Sequence, residues 1–271
     1  MSDFCINTIK NNDYDRYLLG LFTTKEKRQH FYTLYTFNDE IAKIGETTSE
    51  PMTGYIRLQW WRDALASINS KTPKQHPLIP DLAQMIAKCK LPVNEFIELI
   101  DAREDEMEPT PFATINTLET YHQQTSSKLL LLVLACFDNI DNNTSNAINH
   151  LGIAWGLTQS LRNVPADARR KRVLLPESLL KEADLTIDDV IAGKNLERTP
   201  ALVKQIVEHI QNHLNEYSKL QLHLKTDLKP ITLHHCLIKT YLKKIKKYEY
   251  NLYNYPITIN PVVKITSLLI G

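Results

Sequence analysis

The sequence predicts an all-α protein, on three observations. Apolar residues recur at helical spacing wherever a period can be read, alternating strand-like runs are nearly absent, and only 7 glycines are spread through 271 residues. No G-x-G-x-x-G or G-x-x-x-x-G-K-[ST] string is present, which removes the usual dinucleotide and P-loop readings.

Taken in order, the periodic segments place helices at about 13–22, 25–46, 53–69, 78–89, 93–107, 115–138, 144–164, 198–223 and 231–250. Glu50-Pro51, Thr72-Pro73, Glu108-Pro109-Thr110-Pro111 and Thr199-Pro200 separate them, because the residue before a proline disfavours the α region. Asn142-Asn143-Thr144 offers polar N-caps to the helix that follows. The segment 163–196 holds Pro165, the basic run Arg169-Arg170-Lys171-Arg172, Pro176 and two short acidic amphipathic pieces, and reads as an ordered connection. With no long polar linker and no internal repeat, residues 1–271 read as a single domain. A basic, Tyr-rich tail starts at about 239: Lys239, Lys243, Lys244, Lys246 and Lys247 alternate with Tyr241, Tyr248, Tyr250, Tyr253 and Tyr255 before an apolar end at 262–270. Such a tail suits a membrane interface or a solvated helix end followed by a packed tail.

Composition excludes several functions. Lys and Arg total 32 against 31 Asp and Glu, a net charge of +1, so binding through the phosphate backbone of nucleic acid is not expected. Cys5, Cys89, Cys136 and Cys236 form no C-x-x-C pair and have no His at ligand spacing, which points away from zinc and disulfides and toward a reducing compartment. The first 15 residues lack the features of a signal or transit peptide, so the mature chain is expected to start near Met1. The longest apolar run, 129–137, is far short of the roughly 20 residues that span a bilayer and reads as core helix. Few glycines with many Lys, Asn and Ile residues suggest an AT-rich genome, which fits a bacterium; with no transit peptide visible, a cytoplasmic protein is expected, with loose attachment to the inner membrane as a further expectation.

Longer motifs sharpen the reading. Arg16-Tyr17-Leu18 leads through Lys25-Glu26-Lys27-Arg28 to Leu34-Tyr35-Thr36-Phe37, Asn38-Asp39-Glu40-Ile41-Ala42-Lys43-Ile44-Gly45-Glu46 and Ile56-Arg57-Leu58-Gln59-Trp60-Trp61-Arg62-Asp63. Leu99-Ile100-Asp101-Ala102-Arg103-Glu104 is followed by Leu118-Glu119-Thr120-Tyr121. Leu151-Gly152-Ile153-Ala154-Trp155-Gly156-Leu157-Thr158 enters Leu161-Arg162-Asn163-Val164-Pro165-Ala166-Asp167-Ala168-Arg169-Arg170 and closes on Leu174-Leu175-Pro176. In order, spacing and helical context, over residues 14–255, the sequence resembles the squalene/phytoene synthase family. The resemblance implies an isoprenoid synthase-type helical bundle around a central apolar cavity.

Active members present two D-x-x-x-D motifs on facing helices, whose i, i+4 carboxylates hold the magnesium ions that assist departure of pyrophosphate from a prenyl diphosphate. Here Ala42 and Glu46 fall on the first motif, and Asn163 and Asp167 on the second. The leading carboxylate of each pair is therefore absent, and metal-assisted ionisation is expected to be badly weakened. Glu46, Asp167 and Asp39 remain as candidate metal ligands; Asp39, seven residues before Glu46, lies on about the same helix face. Asp101-x-x-x-Asp105 has metal spacing but falls on another helix and reads as a solvated acidic face. Arg57, Arg162, Arg169 and Arg170 are candidates to grip phosphate directly or to form ordinary ion pairs. Tyr121 and Trp155 are candidates to line the cavity or to pack in the core. His30, His122, His234 and His235 lack partners at nucleophile or metal spacing, and Trp60-Trp61 reads as one core and one boundary ring.

Within the family the combination of motifs, with Leu161-Arg162-Asn163 in place of Leu-Arg-Asp, is most similar to the branch containing the mitochondrial respiratory complex I assembly factor and its α-proteobacterial relatives. That resemblance implies a non-catalytic or altered protein acting in NADH dehydrogenase biogenesis, with complex I subunits or assembly intermediates as partners and peripheral membrane contact. Two alternatives stand beside it. One is an active prenyltransferase joining prenyl diphosphates head to head with magnesium; the other is a module that binds an isoprenoid or other apolar ligand in the cavity and needs no cofactor.

Overall fold

The computed structural model describes residues 3–48, 50–107, 112–137, 141–220, 228–253 and 257–270; the proline-rich break at 108–111 and Tyr255 lie outside them. Among these residues there is no strand, and fifteen α-helices follow one another. Where periodicity places a single first helix at 13–22, there are two: α1 (Asp3–Asn12) and α2 (Tyr14–Gly20). They divide at Asp13, whose carboxylate caps α2 by accepting the Arg16 N–H at 3.0 Å. α1 forms because Cys5 and Ile9, four residues apart, bury one stripe against α3 (Lys25–Thr47).

α3 carries the centre of the core. Phe37, fully buried, meets Trp61 of α4 (Pro51–Ala66) and Phe96 of α6 (Val93–Ala102) edge-on, at centroid distances of 5.6 and 5.5 Å. Such pairs add about 0.5–1.5 kcal/mol each beyond burial. Trp61 is buried and Trp60 only partly so, one core ring beside one boundary ring. α5 (Ile79–Cys89) also packs on α3, and α6 runs into a 3₁₀ turn at Arg103–Met107.

The helix expected over 115–138 is divided into α7 (Ile115–His122), a π-helical turn at Gln123–Ser127, and α8 (Lys128–Ala135). The turn faces α9 (Asn142–Arg169), which crosses it at backbone contact. A Cβ at Gly152 would lie 2.3 Å from the Ser127 Cα, and one at Gly156 2.3 Å from His122 Nδ1, so only glycine permits this approach. α9 also departs from expectation at its far end. Rather than giving way to a connection at 163, it continues through Pro165 to Arg169. The proline removes one backbone hydrogen bond, and the next turn is held because Val164, Asp167 and Ala168 are buried.

The connection then supplies α10 (Glu177–Glu182) and α11 (Ile187–Ala192), the two short acidic pieces. α12 (Thr199–Leu220) lies along α9. α13 (Lys229–Thr232), α14 (His234–Lys247) and α15 (Pro261–Ile270) complete the chain, the apolar end being a helix that turns Lys264 and Leu268 inward. Among the described residues no helix is long and apolar enough to cross a membrane.

Candidate functional site

A pocket of about 530 Å³ opens between the ends of α3 and α9, with α2, α7 and α15 on its walls. Asp39, Ala42 and Glu46 reach it from α3, while Arg162, Asn163, Asp167 and Arg170 come from α9 and its C-cap. The two degenerate motifs are thus brought to one opening. Tyr121 also lines it. Three other sequence candidates are elsewhere. Arg57 donates to the Thr47 and Thr48 hydroxyls at 2.9 and 3.3 Å, Arg169 is exposed outside the lining, and Trp155 is buried in the core, edge-on to His234 at 4.9 Å. Arg57 is turned away because it lies near the start of α4, beside the end of α3. Trp155 shares the apolar face that α9 buries.

The lining departs from the apolar cavity that the resemblance implies. Arg16, Arg103, Arg162, Arg170, Arg172 and Lys264 face Asp13, Asp15, Asp39, Glu46, Glu106 and Asp167 across it, and few purely aliphatic side chains contribute. Most of these charges answer one another within the chain. Asp39 accepts from Lys43 at 2.7 Å and from Asn12 at 2.9 Å. The Arg170 guanidinium stands between the two acids expected as metal ligands, 3.3 Å from Glu46 and 3.7 Å from Asp167.

Deeper in the pocket, Glu106 accepts from Arg103 at 2.5 Å, from Arg172 at 2.8 Å and from the Tyr121 hydroxyl. Arg103 also donates to Tyr121 Oη at 2.6 Å and to Asn38 Oδ1 at 2.8 Å. Burial alone would raise the Glu106 carboxyl, but the guanidinium groups of Arg103 and Arg172 outweigh it and hold the acid below its ordinary range. Tyr121 is pushed well above the usual phenol, by burial first and by the Glu106 charge. Gly45 makes room for this network, since a Cβ there would come 2.9 Å from Glu106 Oε2. Asp167 behaves oppositely to Glu106. Burial, together with Glu106 and Glu46, pushes it up to about 6 despite Arg172 and Arg170.

A second cluster closes the α15 side. Asp15, 3% exposed, accepts from Arg162 at 3.0 Å, from the Tyr241 hydroxyl at 2.5 Å and from Lys264. Burial opposes ionisation of Asp15, but Arg162 and Lys264 prevail and lower it. Nearby His122, paired through Nε2 with Ser160 Oγ at 2.9 Å, is driven down to about 3 by burial and stays neutral. Sequence reasoning gave no site role to Glu106, Arg172, Asp15 or Lys264. Only the i, i+3 spacing of Arg103 and Glu106 was available as a signal.

These residues do not fit a magnesium cluster. Ala42 and Asn163 bring no anionic oxygen, Asp39 is committed to Lys43, and Arg170 occupies the space between Glu46 and Asp167. Among the described residues no group of three or more His, Cys, Asp or Glu is arranged to hold a metal ion. The Asp101–Asp105 pair is likewise no metal site, because Asp101 and Glu104 both pair with Arg62.

Comparison with known proteins agrees with this fold. The model of the squalene/phytoene synthase family matches residues 9–266. Similar sequences include the NADH dehydrogenase (ubiquinone) complex I assembly factor 6 of Bos taurus, 26% identical over 251 residues that cover 93% of this chain and 75% of that protein. Phytoene synthase 1, chloroplastic, of Arabidopsis thaliana is 25% identical over 263 residues, covering 93% of this chain and 61% of that one. A dehydrosqualene synthase crystal structure superposes with a TM-score of 0.84 at 18% identity, over 98% of this chain and 93% of that one. The squalene synthase of Alicyclobacillus acidocaldarius gives 0.78 at 21% identity, over 92% and 94%.

Proposed function

The chain belongs to the squalene/phytoene synthase family, and from that premise we propose that it is a non-catalytic member acting in biogenesis of respiratory complex I. The observation that carries this reading is the Arg170 guanidinium lying between Glu46 and Asp167, where catalysis would need divalent cations. A monovalent guanidinium pairs with the acids but has no open coordination position for a departing diphosphate. The relatives named as complex I assembly factor 6, aligned over most of their own length, supply the biological context. On this reading complex I subunits or assembly intermediates are the partners.

We further place its work at the membrane periphery. Five of the nine exposed large apolar side chains among the described residues, Val262, Val263, Ile265, Leu269 and Ile270, lie on α15. An amphipathic helix of this kind buries its apolar face in the headgroup region.

Two measurements test the proposal. Purified protein incubated with farnesyl or geranylgeranyl diphosphate and saturating magnesium should release no pyrophosphate above blank; turnover would make it a synthase. Deleting the gene should lower the amount of assembled complex I, and unchanged complex I would remove the assembly role.

A further inference from the structure

A second opening, of about 520 Å³, lies between α12 and α14, outside the site described above. Lys239, Lys243 and Lys246 line one wall at i, i+4 and i+7, a spacing that sets three ammonium groups on one face of α14. Gln211 and Asn215 line the other wall. None of the lining residues is acidic, and no carboxylate of a described residue pairs with the three lysines.

An independent feature of the same groove points to a ligand. His235 lines it, with its ring packed on Tyr217 at 5.4 Å, yet its buried Nε2 has no hydrogen-bond partner. Burial, reinforced by Lys239, drives His235 down to about 4, so the ring is neutral at pH 7. A neutral imidazole bearing its proton on Nε2 is a hydrogen-bond donor. Three unpaired ammonium groups on the wall that also carries His235 suit an acceptor with several anionic oxygens.

We propose that the groove between α12 and α14 is an anion site that takes a phosphate group, held by Lys239, Lys243 and Lys246 with His235 as donor. It is independent of the degenerate pocket and of the assembly reading. The phosphate is either the headgroup of an anionic lipid or part of a soluble phosphate compound, and the two are separable by experiment.

The full-length chain is titrated with inorganic phosphate and glycerol 3-phosphate while the His235 ring resonances are followed by NMR. In parallel it is floated with phosphatidylcholine vesicles, with and without phosphatidylglycerol. Perturbation of His235 by the soluble probes identifies a soluble ligand. No perturbation by the soluble probes together with flotation only on the phosphatidylglycerol vesicles identifies a lipid headgroup. In either case K239Q/K243Q/K246Q should weaken binding at least about tenfold, with unchanged circular dichroism and Tm, whereas K71Q/K74Q/K194Q should not. Failure of all phosphate-bearing probes to bind, or equal loss in the two triple variants, would overturn the assignment.

Discussion

Arg170 Nη1 lies 3.3 Å from Glu46 Oε2, so the end of α3 and the C-cap of α9 are joined by an ion pair at the point where the two family motifs converge. The pair is partly exposed, and its contribution to stability is therefore small, about 0–1 kcal/mol. Its importance is positional. A cation built into the chain offsets part of the charge on Glu46 and Asp167 and takes the place between them.

Restoring metal binding should therefore need more than restoring carboxylates. A42D/N163D returns the two missing acids but leaves Arg170 in place. Adding Arg170→Ala should increase magnesium affinity by about a further tenfold, or 1.4 kcal/mol, measured by calorimetry. Equal affinity of the double and triple variants would show that Arg170 does not block the site.

The buried network on Glu106 should be costly to break at one point. Arg103 and Glu106 side chains are 12% and 5% exposed, and each depends on the other for neutrality. Arg103→Met leaves Glu106 with Arg172 and Tyr121 only, and should destabilise the fold by about 3 kcal/mol or more in urea unfolding. A loss under about 1 kcal/mol would mean that Arg172 suffices.

Asp167 predicts a pH dependence of definite sign. Its folded pKa, about 6, lies above the ordinary value of 3.8, so its contribution to stability is fully present below pH 4 and is lost as pH rises through 6. Asp167→Asn should therefore be more stable than the parent at pH 7, by up to about 3 kcal/mol, and the advantage should vanish near pH 4. Glu106 and Asp15, held low, act in the other direction: their contributions appear above the unfolded pKa and are lost in acid. Comparing Asp167→Asn with the parent isolates the Asp167 component. An advantage independent of pH would show that Asp167 is not raised.

The helical fold was legible because its signal is local: the period of Phe31, Leu34, Tyr35, Phe37, Ile41 and Ile44 is written in consecutive turns of α3. The substitutions Ala42 and Asn163 were legible for the same reason, each sitting inside a quotable motif. The partners that replace the metal were not. Arg170 and Glu46 are separated by 124 positions, and Lys264 and Asp15 by 249, so nothing in either neighbourhood announces the other. The π turn at Gln123–Ser127 was invisible for a related reason: its glycine partner, Gly152, belongs to a different helix.

That crossing gives a sharp test of packing. At Gly152 the atom a Cβ would meet is backbone, which cannot swing aside as a side chain does. Gly152→Ala should cost about 3 kcal/mol or more and lower Tm, although alanine has the better helix propensity. Unchanged Tm would mean that α9 and the π turn can separate without loss.

α15 is held to the body of the protein from its inward side. Its outward face is apolar and exposed, while Lys264 reaches inward to Asp15, which Arg162 and Tyr241 also engage. Removing Lys264 leaves Asp15 with two partners, so Lys264→Met should cost about 2 kcal/mol, below the 3–5 kcal/mol of a fully orphaned buried charge. In the D15N background the same substitution should cost less, because the attraction is already gone; the difference between the two costs is the coupling energy. Limited proteolysis supplies a local readout: α15 should be cleaved faster in Lys264→Met while the helices of the core remain protected. Additive costs in the double variant, with unchanged cleavage, would mean that α15 is held by Leu268 and its packing on α14 and that the ion pair is incidental.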